Sequence, residues 1–119
     1  MLCSCDKCID SDSLFKKLQE LGINLRYNDK INQSLNFLST LGNIERLIII
    51  NVLKEKDRCV CELEAILDKS QPSISHHLRE LEKLDLIRGW RKGKYTYYSL
   101  NLDVLQKLLN QTYEFLSLE

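Results

Sequence analysis

A mainly helical fold carrying one small β-hairpin is predicted, and three observations predict it. First, a short apolar-periodic segment (Val60, Leu63, Ile66, Leu67) is followed by Asp68-Lys69-Ser70-Gln71-Pro72 and then by a longer one. In the longer segment Ile74, Leu78, Leu81 and Leu84 recur at intervals of four and three, the spacing of a buried helix stripe. Second, Pro72 belongs in the first turn of that helix, where its missing N–H has no intrahelical partner, and Ser70 or Gln71 suits the cap. Third, two β-prone runs, Ile87 to Trp90 and Tyr95 to Ser99, flank Arg91-Lys92-Gly93-Lys94, with Gly93 supplying the turn. Together these give a helix-turn-helix over about residues 59–85 and a hairpin wing over about 86–99.

The remaining elements support that unit. Residues 1–10 hold Cys3, Cys5 and Cys8 with little apolar content and form an arm without evident structure of its own. Residues 11–119 read as one domain. Its first helix runs from Ser11 to Leu21, with Ser11 or Ser13 as cap, Leu14, Phe15, Leu18 and Leu21 as stripe, and Gly22 as stop. After a connector at Asn24 to Asn28, a second helix spans Asp29 to Leu41 until Gly42-Asn43 breaks it. The segment from Ile44 to Lys54 is apolar around much of its circumference, which predicts a centrally buried helix; a short strand at Leu47 to Ile50 fits the length of the pattern less well. A last helix over about 101–118 carries Leu102, Leu105, Leu109 and Leu116, widened by Leu108, Tyr113 and Phe115. That is more apolar surface than one small domain readily covers.

Net charge is zero but unevenly spread. Residues 70–99 carry six Lys or Arg against three Asp or Glu, giving +3, while residues 1–69 give −1 and residues 100–119 give −2. The basic excess coincides with the second helix and the wing, the pattern of a surface that neutralises phosphate. On that helix Pro72, Ser75, His76, Arg79 and Lys83 fall opposite the apolar stripe. A solvated face would account for them singly, but a basic hairpin follows directly. Ser73, Ser75, His76 and Arg79 are therefore expected at base edges or nearby phosphates, joined by the Gln71 amide, with Arg91, Lys92 and Lys94 at the minor groove or backbone. His77, beside the stripe, is expected to pack or cap. No nucleophile–base pair or paired carboxylates converge in a recognisable spacing, which argues against an enzyme. No run of 18 apolar residues offers a membrane span, and the first residues lack the apolar stretch of a signal peptide. A cytoplasmic protein is expected, in which five cysteines speak for metal or redox chemistry rather than structural disulfides.

Arg58-Cys-Val-Cys-Glu-Leu, Ser70-Gln-Pro-Ser-Ile-Ser-His-His-Leu and Gly93-Lys-Tyr-Thr-Tyr-Tyr-Ser-Leu together resemble the ArsR/SmtB family of winged-helix metal-sensing repressors, over roughly residues 30–115. The resemblance implies a homodimer that binds double-stranded operator DNA and leaves it when a metal or metalloid binds. It also implies dimerisation through the N- and C-terminal helices, the last helix packing with the one before Gly42. Isologous pairing would then present two reading helices to a pseudo-palindrome.

Cys59 and Cys61 stand where the first helix of the motif is expected to begin. Inside a regular helix, side chains two apart diverge by about 200°, so chelation by both would distort or uncap the first turn. The helix N-terminus should favour their thiolates. Soft ions commonly take three or four such ligands. In the arsenic sensors that the chain resembles, a third cysteine follows three residues beyond the pair; here that position is Glu64. Cys3, Cys5 and Cys8 offer the missing thiolates, which resembles the CadC-type cadmium and lead sensors. The family's other site, on the last helix, would need ligands at Leu102, Val104, Phe115 and Leu118, none of which binds metal. The expected inducer is cadmium, lead or trivalent arsenic, with zinc as a further candidate. The competing reading is thiol-redox sensing by the same cysteines, and Cys5-Asp-Lys-Cys8 could also serve as a thiol–disulfide pair or half of a zinc site.

Overall fold

The computed structural model describes residues 12–117; Cys3, Cys5, Cys8, the cap candidate Ser11, and Leu118 lie outside the described residues. The chain divides into two compact units, Met1–Gln33 and Ser34–Glu119.

The first unit contains α1 (Asp12–Arg26) and the start of α2 (Asp29–Leu41). Gly22 does not stop α1, contrary to the sequence expectation. An interior glycine costs a helix only about 1 kcal/mol, and the boundary is set further on by Asn28. Its side-chain oxygen accepts from the N–H groups of Lys30 and Ile31 at 2.9 and 3.2 Å, capping α2. No residue of α1 is buried, and Phe15, Leu18 and Leu21 lie in its exposed apolar stripe.

The second unit is built on α3 (Ile44–Glu55). Asn43 caps it, accepting from Glu45 N–H and Arg46 N–H. Burial is less complete than the composition suggests. Ile49, Ile50 and Leu53 are buried, but Ile44 and Leu47 face solvent, so the helix is central on one side only. Next come β1 (Arg58–Cys59), α4 (Val60–Leu67), α5 (Gln71–Lys83), β2 (Ile87–Lys92), β3 (Tyr95–Leu100) and α6 (Leu102–Leu116). The α4–α5 turn passes through Asp68 in the left-handed region (φ 51°), which aspartate tolerates better than most residues.

The wing has one more strand than expected. β1 pairs antiparallel with β3, Arg58 opposite Tyr98 and Cys59 opposite Tyr97, giving the order β1-β3-β2. Two residues are too few to show a period-two pattern, so nothing in the sequence marked them as strand. At the hairpin tip Lys92 pairs with Tyr95 across Gly93 and Lys94. The positive φ of Gly93 (64°) at the first loop position suits a two-residue hairpin turn.

Phe37, Ile49, Leu63, Ile74, Leu78, Leu81 and Leu86 are the most completely buried large side chains and form one core. On α6, Leu105 and Thr112 are buried and Leu108 packs half-buried on the core, while Leu102, Leu109, Tyr113 and Leu116 are exposed. At 100° per residue these four share a stripe, so α6 carries apolar surface both toward the core and away from it. Among the described residues no helix is long and apolar enough to cross a membrane.

Candidate nucleic-acid interface and thiol pair

The outward face of α5, the candidate reading face, is set by what the helix buries. Ile74, Leu78 and Leu81 are at most 2% exposed, and His77 joins them inside. Gln71, Pro72, His76, Arg79 and Lys83 are consequently turned outward, with Ser73 and Ser75 half-buried on its flanks. His77 Nδ1 accepts from Arg46 Nε at 3.2 Å, and Arg46 Nη1 donates to the Thr40 carbonyl at 3.2 Å. A ring that accepts from guanidinium is neutral, and burial together with the Arg46 charge holds its pKa below the ordinary value. This link across 31 residues of chain was not legible beforehand.

The wing cations do not share one face. Side chains alternate along a strand, so Arg91 points opposite to Lys92, with Lys94 at the tip; all three are exposed. Behind them, Trp90 stacks on Tyr97 with ring centroids 4.9 Å apart. Trp90 Nε1 donates to Asp57 Oδ2 at 3.0 Å and to Ser99 Oγ at 2.9 Å, and Ser99 Oγ donates to the same carboxylate oxygen at 2.6 Å. Both long wing strands are thus tied to the residue preceding β1. Trp90 and Ser99 are legible as strand residues, but their tie to Asp57, 33 and 42 positions away, has no signal in the sequence.

The thiols are closer together than helical geometry allows. Cys59 is not in the helix: it is the last residue of β1 and the N-cap of α4, with extended backbone (φ −83°, ψ 164°). The expected 200° divergence therefore does not apply, and the two sulfurs lie 2.7 Å apart. Cys59 is buried and Cys61 exposed. Glu62 Oε1 accepts from Cys59 N–H at 3.1 Å, a bond that lowers the Glu62 pKa. Arg58 reaches both neighbours of this corner, pairing with Glu55 at 2.7 Å and Glu62 at 3.5 Å. The expectation that the helix start favours thiolate fails for Cys59, whose thiol is pushed up by its hydrogen bond to Cys61 and by burial.

Cys59 and Cys61 open onto a cleft of about 270 Å³ whose other walls include Glu64, Gln71, Lys94, Tyr95 and Thr96. One cleft thus brings the thiols together with the first residue of the reading helix and the tip of the wing. Among the described residues no three His, Cys, Asp or Glu side chains are grouped closely enough to hold a metal ion. Cys3, Cys5 and Cys8, the further ligands expected from the sequence, lie outside the described residues.

Comparison with known proteins agrees with this architecture. Residues 44–88 match the family model described as bacterial regulatory protein, arsR family. The chain is 35% identical over 82 residues to the transcriptional repressor SdpR of Bacillus subtilis, covering 69% of this chain and 91% of SdpR. It is 37% identical over 71 residues to the cadmium resistance transcriptional regulatory protein CadC of Listeria innocua, covering 58% of this chain and 60% of CadC. Among solved structures, NolR from Sinorhizobium fredii superposes with a TM-score of 0.63 at 27% identity, over 76% of this chain and 91% of NolR.

Proposed function

The chain belongs to the ArsR family of bacterial transcriptional regulators, and from that premise we propose that it is a homodimeric repressor whose operator is released when Cys59 and Cys61 bind a thiophilic ion. In this reading Gln71, Ser73, Ser75, His76 and Arg79 meet base edges and adjacent phosphates in the major groove, while Arg91, Lys92 and Lys94 hold backbone or minor groove. The exposed stripe of α6 and the end of α2 before Gly42, where Leu35 and Leu38 are exposed, supply the dimer contact, so that two reading helices address one pseudo-palindrome. CadC's name speaks of cadmium resistance; here cadmium, lead or trivalent arsenic is the proposed inducer, with zinc as a further candidate. Sulfur donors suit such soft ions, and one or two of Cys3, Cys5 and Cys8 complete the set.

The observation that carries the reading is the shared cleft. The two sulfurs are in contact with each other, so one ion can be held by both, and binding it resets both side chains. Cys59 stands at its backbone bond to Glu62 and opposite Tyr97 in the ladder, and Cys61 shares the cleft with Gln71 and Lys94. Displacing either one shifts the wing or the start of the reading helix relative to DNA.

The test follows reduced protein on its own promoter DNA while cadmium, lead or arsenite is added, with thiolate-to-metal absorption read in parallel. Cys59→Ser should keep operator affinity, since serine caps helices well, and should lose release. Deleting residues 1–9 should weaken metal uptake and leave the DNA complex unchanged. Release that survives Cys59→Ser would refute the assignment of the inducer site.

A further inference from the structure

We propose that Cys59 and Cys61 are also a modification site, a dithiol that a hydroperoxide closes into an intrachain disulfide. This goes beyond the metal reading and does not depend on it. The two sulfurs are in direct contact, which is the juxtaposition an intrachain disulfide needs. The two sulfurs are also unequal in the way such chemistry requires. Both line the open cleft, which at about 270 Å³ admits a small peroxide, but Cys61 is exposed whereas Cys59 is buried.

The Cys61 thiolate attacks the terminal oxygen of the hydroperoxide, the O–O bond breaks, and Cys61 becomes a sulfenic acid as the alkoxide takes a proton and leaves as alcohol, or as water from hydrogen peroxide. The Cys59 sulfur then attacks the Cys61 sulfur, the S–O bond breaks, and hydroxide leaves with the Cys59 proton as a second molecule, water. Two thiols have given up two electrons and the peroxide has accepted them. A dithiol reductant reverses the change by thiol–disulfide exchange.

The pair can be isolated in the full-length chain by replacing Cys3, Cys5 and Cys8 with serine. One equivalent of hydrogen peroxide, added with a chelator present, should lower the free-thiol count by two. Peptide mapping should then find the lost hydrogens in a Cys59–Cys61 link within one chain, restored by dithiothreitol. The same dose given to a chain that also carries Cys59→Ser should leave a Cys61 sulfenic acid that a 1,3-dicarbonyl reagent captures. Disulfides between chains, a sulfinic acid on Cys61 beside a free Cys59 thiol, or no reaction would each overturn the proposal. Failure here with cadmium-driven operator release intact would leave the metal reading standing. A clean disulfide without metal-driven release would sink the metal reading alone.

Discussion

The reading helix and the thiol corner face the same cleft but are held by different forces. α5 rests on Ile74, Leu78 and Leu81, all buried in the one core, with a single side-chain bond from Arg46 to His77 behind it. The corner at Arg58–Cys61 is held by a two-residue ladder with β3, the Cys59–Glu62 cap and the Arg58 ion pairs. Apolar packing of a buried side chain resists loss by several kcal/mol, whereas single hydrogen bonds contribute about 1 kcal/mol each. The difference assigns deformation to the corner and rigidity to the reader. A change at the sulfurs can displace strand, cap or wing tip without loosening α5.

The strongest way to break that comparison is to weaken each side in turn. Leu78→Ala should cost about 2–5 kcal/mol of stability by leaving a cavity under the reading helix, while Glu62→Ala, which removes the cap bond, should cost about 0.5–2 kcal/mol. Urea unfolding of both variants reads the two losses on one scale. Equal losses would mean that the corner is as firmly built as the core.

Next in size are effects on DNA binding. Arg79→Ala should lower operator affinity by about 1–3 kcal/mol and relax sequence preference, whereas Lys92→Ala should weaken all sequences alike and flatten the salt dependence. Binding isotherms on operator and scrambled duplexes at several salt concentrations separate the two. An Arg79→Ala protein with unchanged affinity and preference would put the reading face elsewhere on α5.

These contrasts also explain what was legible in the sequence. The stripe Ile74, Leu78, Leu81 and the turn glycine Gly93 are local signals with a fixed period or a fixed backbone demand, so α5 is legible nearly to the residue, whereas Arg91 and Lys92, expected in the turn, are strand residues of β2. The thiol corner is non-local. That Cys59 is extended follows from pairing with Tyr97, 38 positions away, and only that pairing brings its sulfur to Cys61. Side chains two apart diverge inside a helix, but Cys59 stands one step outside it. Gly22 misled for the opposite reason: a stop signal of modest energy was read where no cap followed, while the cap at Asn28 fixed the real boundary. Asp57, Trp90 and Ser99 could be grouped only once the strands were paired.

A smaller effect tests the one polar tie behind the reader. His77 is bonded to Arg46 and lies within reach of the charges of Glu45, His76 and Lys69, and burial followed by the Arg46 charge lowers its pKa from 6.5. The folded protein then binds fewer protons at this ring than the unfolded chain does, so stability rises with pH in the window between the two values. The contribution is fully present above 6.5 and is lost as pH falls through the lowered folded value. Unfolding midpoints taken either side of that window should show a decline on acidification that His77→Phe flattens. An identical slope in both proteins would assign the decline to other groups, such as the Glu62 cap at lower pH.

The smallest change concerns the joint between reader and wing. Asp85 follows the end of α5 with φ 58°, in the left-handed region, and its N–H donates to the Glu82 carbonyl at 2.9 Å. A residue with a side chain pays about 1–2 kcal/mol there in general, less for aspartate. Glycine would relieve that strain but would also enlarge the freedom of the unfolded chain, an opposing effect of about 0.4–1 kcal/mol. The backbone bond is common to both residues, so Asp85→Gly should shift stability by under about 1 kcal/mol and leave the fold unchanged. Alanine has neither the local polar contacts of aspartate nor the freedom of glycine, and Asp85→Ala should be the less stable of the two variants. If alanine matched glycine in urea, the left-handed joint would contribute nothing to how the wing is set against the reading helix.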